Sequence, residues 1–306
     1  MIQKTRTYIL ISFSLIVLLV GFYLFGLIRS ANGTNVENNL NTFFPEPFPS
    51  SDSSMVTIAF TGDIMGHTPL IEAMYQPVSR TYDYHIVFQH VKEYFKQCDW
   101  VVGNLEVTLA GPPYTGYPNF SSPDALLYAL IDAGYNTLTT ANNHTYDKGK
   151  SGLIRTLNML DSLQMPHTGT YRDGLEHDQQ TPFIWESSNG IRIALLNYTY
   201  GTNGIKVLKP NVVNMIDTAI MRQDLAKARE NYVDFSIVSI HWGDEYQRKE
   251  NATQQRIAQF AADHGADLII GSHPHVLQPM KIITPGTDST KHVPVFYSLG
   301  NFISNQ

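Results

Sequence analysis

Polar clusters follow five of the apolar runs in this chain, and each cluster stands where a predicted strand ends. Ligand sites of open α/β sheets form at the carboxyl ends of the strands. One such cluster is weak evidence, because an Asp after a strand is more often a turn residue and a lone His is usually structural. Five with the same placement predict one shared site: Gly62-Asp63, Gly103-Asn104-Leu105-Glu106, Asn142-Asn143-His144, His241-Trp242-Gly243 and His273-Pro274-His275.

Strands alternate with helices along residues 55–306, which is typical of the α/β class. A turn signal at residues 187–190 predicts a hairpin, so the sheet is not expected to be purely parallel. The predicted strands cover 56–60, 100–102, 135–140, 183–185, 191–196, 235–240, 267–270 and 294–299, and 276–283 is expected to pair locally. The predicted helices cover 85–95, 125–133, 149–163, 216–232 and 253–264, with Ser122 as the N-cap of the second and Gly134 as its end. Residues 168–178 and 201–215 are predicted to be irregular.

An uncharged apolar run of 21 residues extends from Tyr8 to Ile28. As a helix it would span about 31 Å, roughly the hydrocarbon thickness of a bilayer. Two basic residues precede it and Arg29 follows, which favours a cytoplasmic N-terminus. We therefore expect residues 1–29 to anchor the protein in the cell membrane as a single-pass helix, with the domain on the extracytoplasmic side. A cleaved signal peptide and a buried core helix are the alternatives.

Residues 30–54 are rich in Asn, Ser and Pro, a composition typical of a flexible linker. Residues 55–306 are expected to form one domain. No helix follows the last apolar strand to cover it, so we expect the chain to continue beyond Gln306. The net charge is −6 and no Lys/Arg cluster stands out, which argues against a nucleic-acid partner. The single cysteine, Cys98, excludes an internal disulfide.

The side chains of the five clusters combine carboxylate, amide and imidazole groups and include no thiolate. This set suits Zn, Mn or Fe better than a copper(I) site or a structural zinc site. Oxygen-and-nitrogen sites of this size often hold two ions, about 3.5–4 Å apart. The sequence therefore predicts a cofactor of one or two divalent transition-metal ions.

Six ordered motifs resemble those of the CapA family of poly-γ-glutamate capsule biosynthesis proteins, a branch of the calcineurin-like metallophosphoesterase superfamily. They cover about residues 55–306: Thr61-Gly62-Asp63-Ile64-Met65, Gly103-Asn104-Leu105-Glu106, Ala141-Asn142-Asn143-His144, His241-Trp242-Gly243, Gly271-Ser272-His273-Pro274-His275 and Tyr297-Ser298-Leu299-Gly300-Asn301-Phe302. The resemblance implies a four-layer α/β/β/α metallophosphatase-like sandwich. It also implies a membrane-anchored, outward-facing protein of capsule biosynthesis or export.

The superfamily's metal motifs can be carried over position by position. They imply metal ligands at Asp63, Glu106, Asn143, His241, His273 and His275, with Asn104 as a further candidate. His67 could substitute for the superfamily's first-motif His, and a helix cap is the alternative for it. Met65 stands where the superfamily has a first-motif His, and Asn104 stands where it has a bridging Asp. Loss of that bridge would weaken a two-metal centre, because the carboxylate offsets the repulsion between the cations. Glu106 would have to replace it.

A catalytic role is implied for His144, which matches the superfamily's acid near the leaving group. Asp147 could orient its imidazole, and the alternative for Asp147 is a turn residue that opens the next helix. Trp242, Glu245 and Tyr246 are expected at the rim of the pocket, with plain packing as their alternative.

Two functions from different classes fit these features. The first is an active metal-dependent hydrolase or transferase acting on a phosphoester or a γ-glutamyl-type amide. The second is a non-catalytic component that binds the capsule polymer, or membrane-bound capsule synthase subunits, and helps export. An anionic polymer or a small molecule is the expected substrate. Because the domain is net acidic, bound metal would have to supply most of the positive charge that such a polymer requires.

Overall fold

The computed structural model describes residues 55–306. The predicted membrane anchor, 1–29, and the predicted linker, 30–54, lie outside the described residues. Within residues 55–306, no helix has both the length and the apolar character that crossing a bilayer requires.

The described part of the chain alternates strands and helices, as predicted. Its helices are α1 (Thr68–Ala73), α2 (His85–Phe88), α3 (Lys92–Phe95), α4 (Ala125–Ala133), α5 (Gly149–Ser162), α6 (Gly174–Gln180), α7 (Thr218–Glu230) and α8 (Ala252–Asp263). Its strands are β1 (Ile58–Ile64), β2 (Tyr75–Gln76), β3 (Thr81–Tyr82), β4 (Trp100–Leu105), β5 (Thr137–Thr139), β6 (His167–Thr168), β7 (Thr170–Tyr171), β8 (Phe183–Glu186), β9 (Arg192–Thr199), β10 (Val212–Val213), β11 (Phe235–His241), β12 (Leu268–Ser272), β13 (Met280–Ile283), β14 (Val293–Phe296) and β15 (Asn301–Ile303).

Two sheets form the centre of the domain. The first has five parallel strands in the order β15-β1-β4-β5-β6. The second has six strands in the order β13-β14-β12-β11-β9-β8, and its two edge strands are antiparallel to their neighbours. The predicted hairpin is the β8–β9 pair, and the predicted local pairing of 276–283 is the β13–β14 pair. Both predictions are confirmed.

Three apolar clusters lie between the two sheets and the helices, and they join these elements as four packed layers. One lies between the two sheets, where Trp100 of β4 stacks on Trp185 of β8 with ring centroids 4.9 Å apart. A second joins the outer face of the first sheet to α2, α3 and α4. A third joins the outer face of the second sheet to α7 and α8. The order of the layers is therefore helix, sheet, sheet, helix, as the resemblance implied.

Several predicted boundaries are wrong. The helix predicted over 85–95 is two short helices. Between them the backbone hydrogen bonds span three residues, as from Val91 N–H to Phe88 O, instead of the four residues of an α-helix. Ser122 does not cap α4: its hydroxyl has no hydrogen-bond partner within residues 55–306, and the helix begins after Asp124. Gly134 ends α4 with φ 108°, as predicted.

The two segments predicted as irregular contain regular structure. Residues 168–178 hold β7 and the start of α6, whose N-cap Asp173 accepts a hydrogen bond from the Glu176 amide. Residues 201–215 hold β10, which pairs with β7. The strand predicted over 294–299 ends at Phe296, and the chain then crosses to the first sheet as β15.

The sheet ends bring the polar clusters together. Asp63 of β1 lies in register with Asn104 of β4 on one side and with Asn301 of β15 on the other. Gly62 allows this close approach, since a Cβ there would lie 1.9 Å from the carbonyl oxygen of Gly300.

Candidate metal centre

Asp63 lies at the end of β1 with its carboxylate fully buried. Asn104 donates from Nδ2 to its Oδ1 at 2.8 Å. The backbone N–H of His273 donates to Oδ2 at 3.2 Å, and Nδ1 of His275 lies 3.1 Å from the same oxygen. The carboxylate is thus held from both sheets.

Glu106 follows β4 and is also fully buried. Neither of its carboxylate oxygens has a hydrogen-bond partner in the described part of the chain. Oε1 lies 3.4 Å from Nε2 of His241 and 3.9 Å from Nε2 of His275. Burial, followed by the charge of Asp63, raises the pKa of Glu106 well above its usual value. An uncompensated buried charge costs about 3–5 kcal/mol, and a bound cation would offset this cost.

The turn after β5 supplies the amide group of the centre. Asn142 ties the turn to β4 by donating to the backbone oxygen of Leu105 at 2.8 Å, and its side-chain oxygen accepts the N–H of His144. The next residue, Asn143, places Oδ1 2.7 Å from Nε2 of His241. Asn143 and His241 therefore direct these two atoms at each other from different sheets.

The turn that carries His273 and His275 has an unusual backbone. Their φ angles are +96° and +58°, in the left-handed region that non-glycine residues seldom adopt. Such conformations cost on the order of 1–3 kcal/mol each and tend to occur at functional sites. The two rings lie 5.7 Å apart. Nδ1 of His273 is buried without a partner, and Nδ1 of His275 donates to carboxylate and amide oxygens, which leaves its Nε2 lone pair free.

Two groups of three potential ligands result: Asp63, Glu106 and His241, and Glu106, His273 and His275. Within each group the potential ligand atoms lie within 4.8 Å of one another. Both groups contain Glu106, so its carboxylate could contact two ions at once. The unpartnered oxygens of Glu106 and the unpartnered nitrogen of His273 fit a divalent transition metal, whose preferred ligands include these atoms.

The electrostatics at His241 and His273 also suit metal binding. Burial and the neighbouring imidazoles lower the pKa of His241, and burial with His275 lowers that of His273 to about 4. Both rings are therefore neutral near pH 7, the form that binds a metal. Burial opposes charge on His275, but its hydrogen bond to Asp63 and the charge of that carboxylate raise its pKa. No Lys or Arg contributes to these shifts.

His144 and Asp147 form a buried pair beside the two groups. Nδ1 of His144 lies 2.8 Å from Oδ2 of Asp147, and the backbone N–H of Phe120 donates to the same oxygen at 2.7 Å. The ring of Phe120 meets the His144 ring edge-on at 4.6 Å. A histidine whose Nδ1–H is bound to a carboxylate keeps its Nε2 free to accept or release a proton.

The remaining sequence candidates lie outside the two ligand groups. Asn104 turns its amide nitrogen toward Asp63, so it positions that carboxylate. His67 belongs to neither ligand group, and its ring contacts Phe120 and residues 304–305. Met65, at the superfamily's His position, is buried in the apolar cluster between the first sheet and the helices.

Three polar residues of the site were not predicted from the sequence. Asn203, after β9, accepts from Asn143 Nδ2 at 3.1 Å, and its own Nδ2 lies 3.4 Å from His144 Nδ1. Ser272 Oγ lies 2.9 Å from Nδ1 of His241. Asn301 accepts from His275 Nδ1 at 2.9 Å. Asn203 and Asn301 also stand near the ends of apolar runs, so the rule used for the five clusters could have found them.

Aromatic rings border the site. Tyr200 packs on His273 with ring centroids 4.6 Å apart, and Tyr246 lies 6.1 Å from His275 and is 54% exposed. Glu245 is exposed, as expected for a rim residue. Trp242 is not at the rim: it is buried, stacks on Tyr297 and donates from Nε1 to the backbone oxygen of that residue.

Comparison with known proteins identifies relatives by sequence. Capsule biosynthesis protein CapA of Bacillus anthracis is 29% identical over 272 residues, which are 85% of this chain and 62% of that protein. PGA biosynthesis protein CapA of Bacillus subtilis (strain 168) is 29% identical over 264 residues, which are 82% of this chain and 64% of that protein. The chain thus spans less than two thirds of the length of these relatives.

Solved structures that match this chain in part include the NAD nucleotidase NadN of Haemophilus influenzae, with a TM-score of 0.48 at 16% identity over 70% of this chain and 44% of that one. They also include the calcineurin-like phosphoesterase YfkN of Bacillus subtilis, with a TM-score of 0.46 at 18% identity over 80% of this chain and 82% of that one. The family described as bacterial capsule synthesis protein PGA_cap matches residues 57–306. The chain therefore belongs to this capsule synthesis family, as its ordered motifs predicted.

Proposed function

We propose that this chain acts in the synthesis or export of a poly-γ-glutamate-type capsule polymer, as a metal-dependent hydrolase or transferase centred on Glu106. One observation carries the catalytic part of the proposal. A fully buried carboxylate with two unpartnered oxygens faces the imidazoles of His241 and His275 and lies beside Asp63. Purely structural carboxylates are normally paired when they are buried.

The two ligand groups assign residues to two ions. Asp63, Glu106 and His241, with the side-chain oxygen of Asn143, would hold the first. Glu106, His273 and His275 would hold the second. We expect the first to bind more tightly, because it has two carboxylates where the second has one. When bound, such ions supply positive charge that stabilises a developing oxyanion, and they lower the pKa of water.

The protein's own groups then manage protons and orientation. Asp147 holds His144 by its Nδ1–H, and the Phe120 amide fixes Asp147 in turn. When the ring is protonated, its Nε2–H can deliver a proton to the oxygen or nitrogen that leaves the substrate. Asn203 accepts a hydrogen bond from Asn143 Nδ2, so it helps to orient that candidate metal ligand.

The capsule part of the proposal follows from the family and from the N-terminal segment. The apolar run at 8–28 would anchor the chain, so that residues 55–306 face the outside, where a capsule polymer is assembled. Membrane-bound synthase subunits would then be within reach. An anionic polymer would rely on the bound ions for attraction, because the chain carries a net charge of −6.

Complementation with matched variants tests the proposal. A strain that lacks this protein would receive wild-type chain, Glu106→Gln, His144→Ala or Glu230→Gln, an exposed control at the end of α7, and surface polymer would be measured at equal protein levels. We expect wild type and Glu230→Gln to restore capsule and the other two to fail. Capsule restored by Glu106→Gln and His144→Ala alike would show that the chain acts as a non-catalytic assembly component.

Purified protein distinguishes the reaction classes. Wild-type chain would be assayed with aryl phosphoesters and with γ-glutamyl anilides, with added Mn²⁺ or Zn²⁺ and with chelator. We expect turnover of one class that requires metal and falls at least 100-fold in His144→Ala, since a positioned general acid contributes about 10²–10⁴-fold. Turnover that is insensitive to both chelator and His144→Ala would contradict an active site at this place.

A further inference from the structure

His67 has no assigned role, although it lies close to the centre. It occupies the N-cap position of α1, and its backbone oxygen accepts the N–H of Ile71. Its side chain makes no capping hydrogen bond to the helix. The residue is only 9% exposed, so its ring is placed by packing. A buried polar ring that neither caps its helix nor belongs to a ligand group requires another explanation.

The contacts of the ring define its tautomer. Nδ1 lies 3.4 Å from the backbone nitrogen of Asn305 and 3.4 Å from Oγ of Ser304. A backbone N–H can only donate, so Nδ1 is the acceptor and the neutral ring carries its hydrogen on Nε2. Within residues 55–306 the ring forms hydrogen bonds through Nδ1 alone. The Nε2–H donor therefore remains available to a ligand.

The ring is held next to the catalytic residues. Phe120 separates His67 from His144 and meets both rings edge-on, at 5.1 Å and 4.6 Å between centroids. Burial lowers the pKa of His67, and the nearby His275 and His144 lower it further, so the ring stays neutral near pH 7. His67 is thus a neutral donor that is separated from His144 by one aromatic ring.

We propose that His67 is a substrate-positioning residue whose Nε2–H donates a hydrogen bond to an oxygen of a phosphate group bound at the Glu106 centre. This inference rests on the proposed function and narrows its substrate class to a phosphoester. A phosphate retains free oxygens after two of them face a two-ion site, whereas the scissile carbonyl group of a γ-glutamyl amide has a single oxygen. A donor beside the ligand groups is therefore more useful for a phosphoester than for an amide.

The test measures binding of inorganic phosphate to the metal-loaded chain by titration calorimetry, with metal content determined separately for each variant. His67→Phe keeps a ring against Phe120 but lacks the donor, and His67→Gln retains an N–H donor. The exposed His90→Phe is the matched surface control. We expect His67→Phe to weaken phosphate binding about tenfold or more, since hydrogen bonds to charged groups contribute about 1.5–3 kcal/mol. The phosphate affinity of His67→Gln should stay within about threefold of the wild-type affinity, and all variants should keep the wild-type metal content.

Three results would overturn the inference. They are equal phosphate affinity in His67→Phe and wild type, loss of metal from His67→Phe, and His67→Gln as weak as His67→Phe. Wild-type chain that takes up metal but binds no phosphate would also overturn it, while the amide substrate of the proposed function would stand. Wild-type chain that takes up no metal would overturn the proposed function itself. If His67→Phe does not fold, His67→Leu takes its place in the comparison.

Discussion

Replacing Glu106 by Gln tests the buried carboxylate directly, because Gln keeps its shape and removes its charge. In metal-free protein the two carboxylate oxygens are buried without partners, beside Asp63. A buried polar group left unpaired costs about 1–3 kcal/mol, and more when it is charged. We therefore expect Glu106→Gln to stabilise the metal-free chain by about 2 kcal/mol at pH 8. For a domain of this size that is about 4–8 °C in Tm.

The effect should depend on pH with a definite sign. The pKa of Glu106 is raised in the folded state, so the folded protein holds a proton there after the unfolded chain has released it. The associated stability is fully present below the unfolded value, about 4.3, and is lost as pH rises through the folded pKa. The free energy of unfolding that Glu106→Gln gains over wild type should therefore be small at pH 5 and increase toward pH 8. Other titrating groups are common to both proteins and largely cancel in this difference.

Thermal unfolding is followed by circular dichroism at pH 5 and pH 8, first with chelator and then with added Mn²⁺ or Zn²⁺. It checks the stability gain of Glu106→Gln and the pH dependence of that gain. At 100 times the dissociation constant a bound ion adds about 2.7 kcal/mol to wild type. Glu106→Gln should gain little stability from either metal, and the exposed control Glu230→Gln should match wild type throughout. If Glu106→Gln were the less stable protein in chelator at pH 8, or gained as much from metal as wild type, the argument for a metal-binding carboxylate would be refuted.

Three further predictions follow from the geometry. Asp147→Asn should lower turnover at least tenfold without changing metal content, because Asp147 orients His144; unchanged kcat would contradict that role. Met65→His should lower the free energy of unfolding by about 2–5 kcal/mol and add no metal, since Met65 lies in the apolar core; an extra ion detected by elemental analysis would contradict this. Trp100→Ala should cost about 3–5 kcal/mol by denaturant titration, because Trp100 stacks on Trp185 between the sheets; a loss below 1 kcal/mol would mean that this contact is not part of the core.

The strand-end clusters could be predicted because each depends on local chain properties. An apolar run predicts a buried strand, and the polar residue after it must lie at the sheet edge. This reasoning brings Asp63, Glu106 and His241 to one place, where the structure finds them within a single ligand group. It does not depend on knowing the order of the strands.

Other features depend on contacts between distant segments, which the sequence does not display. Asn104 matches a ligand position, but its amide nitrogen faces Asp63, which only the register of β1 with β4 reveals. Met65 could be recognised as a departure from the superfamily pattern. Its place in the helix-facing core depends on packing against residues from distant segments. The pairing of β7 with β10 joins two segments predicted as irregular, and neither has a strong strand signal alone.

Metal stoichiometry tests the central claim most directly. The purified 306-residue chain would be titrated with Mn²⁺ or Zn²⁺, freed of unbound ions and analysed for bound metal, alongside Glu106→Gln and His273→Ala. Since Glu106 belongs to both ligand groups and His273 to one, we predict one tight and one weaker ion in wild type, one in His273→Ala and none in Glu106→Gln. Wild-type chain without bound metal, or Glu106→Gln with as much metal as wild type, would contradict the account.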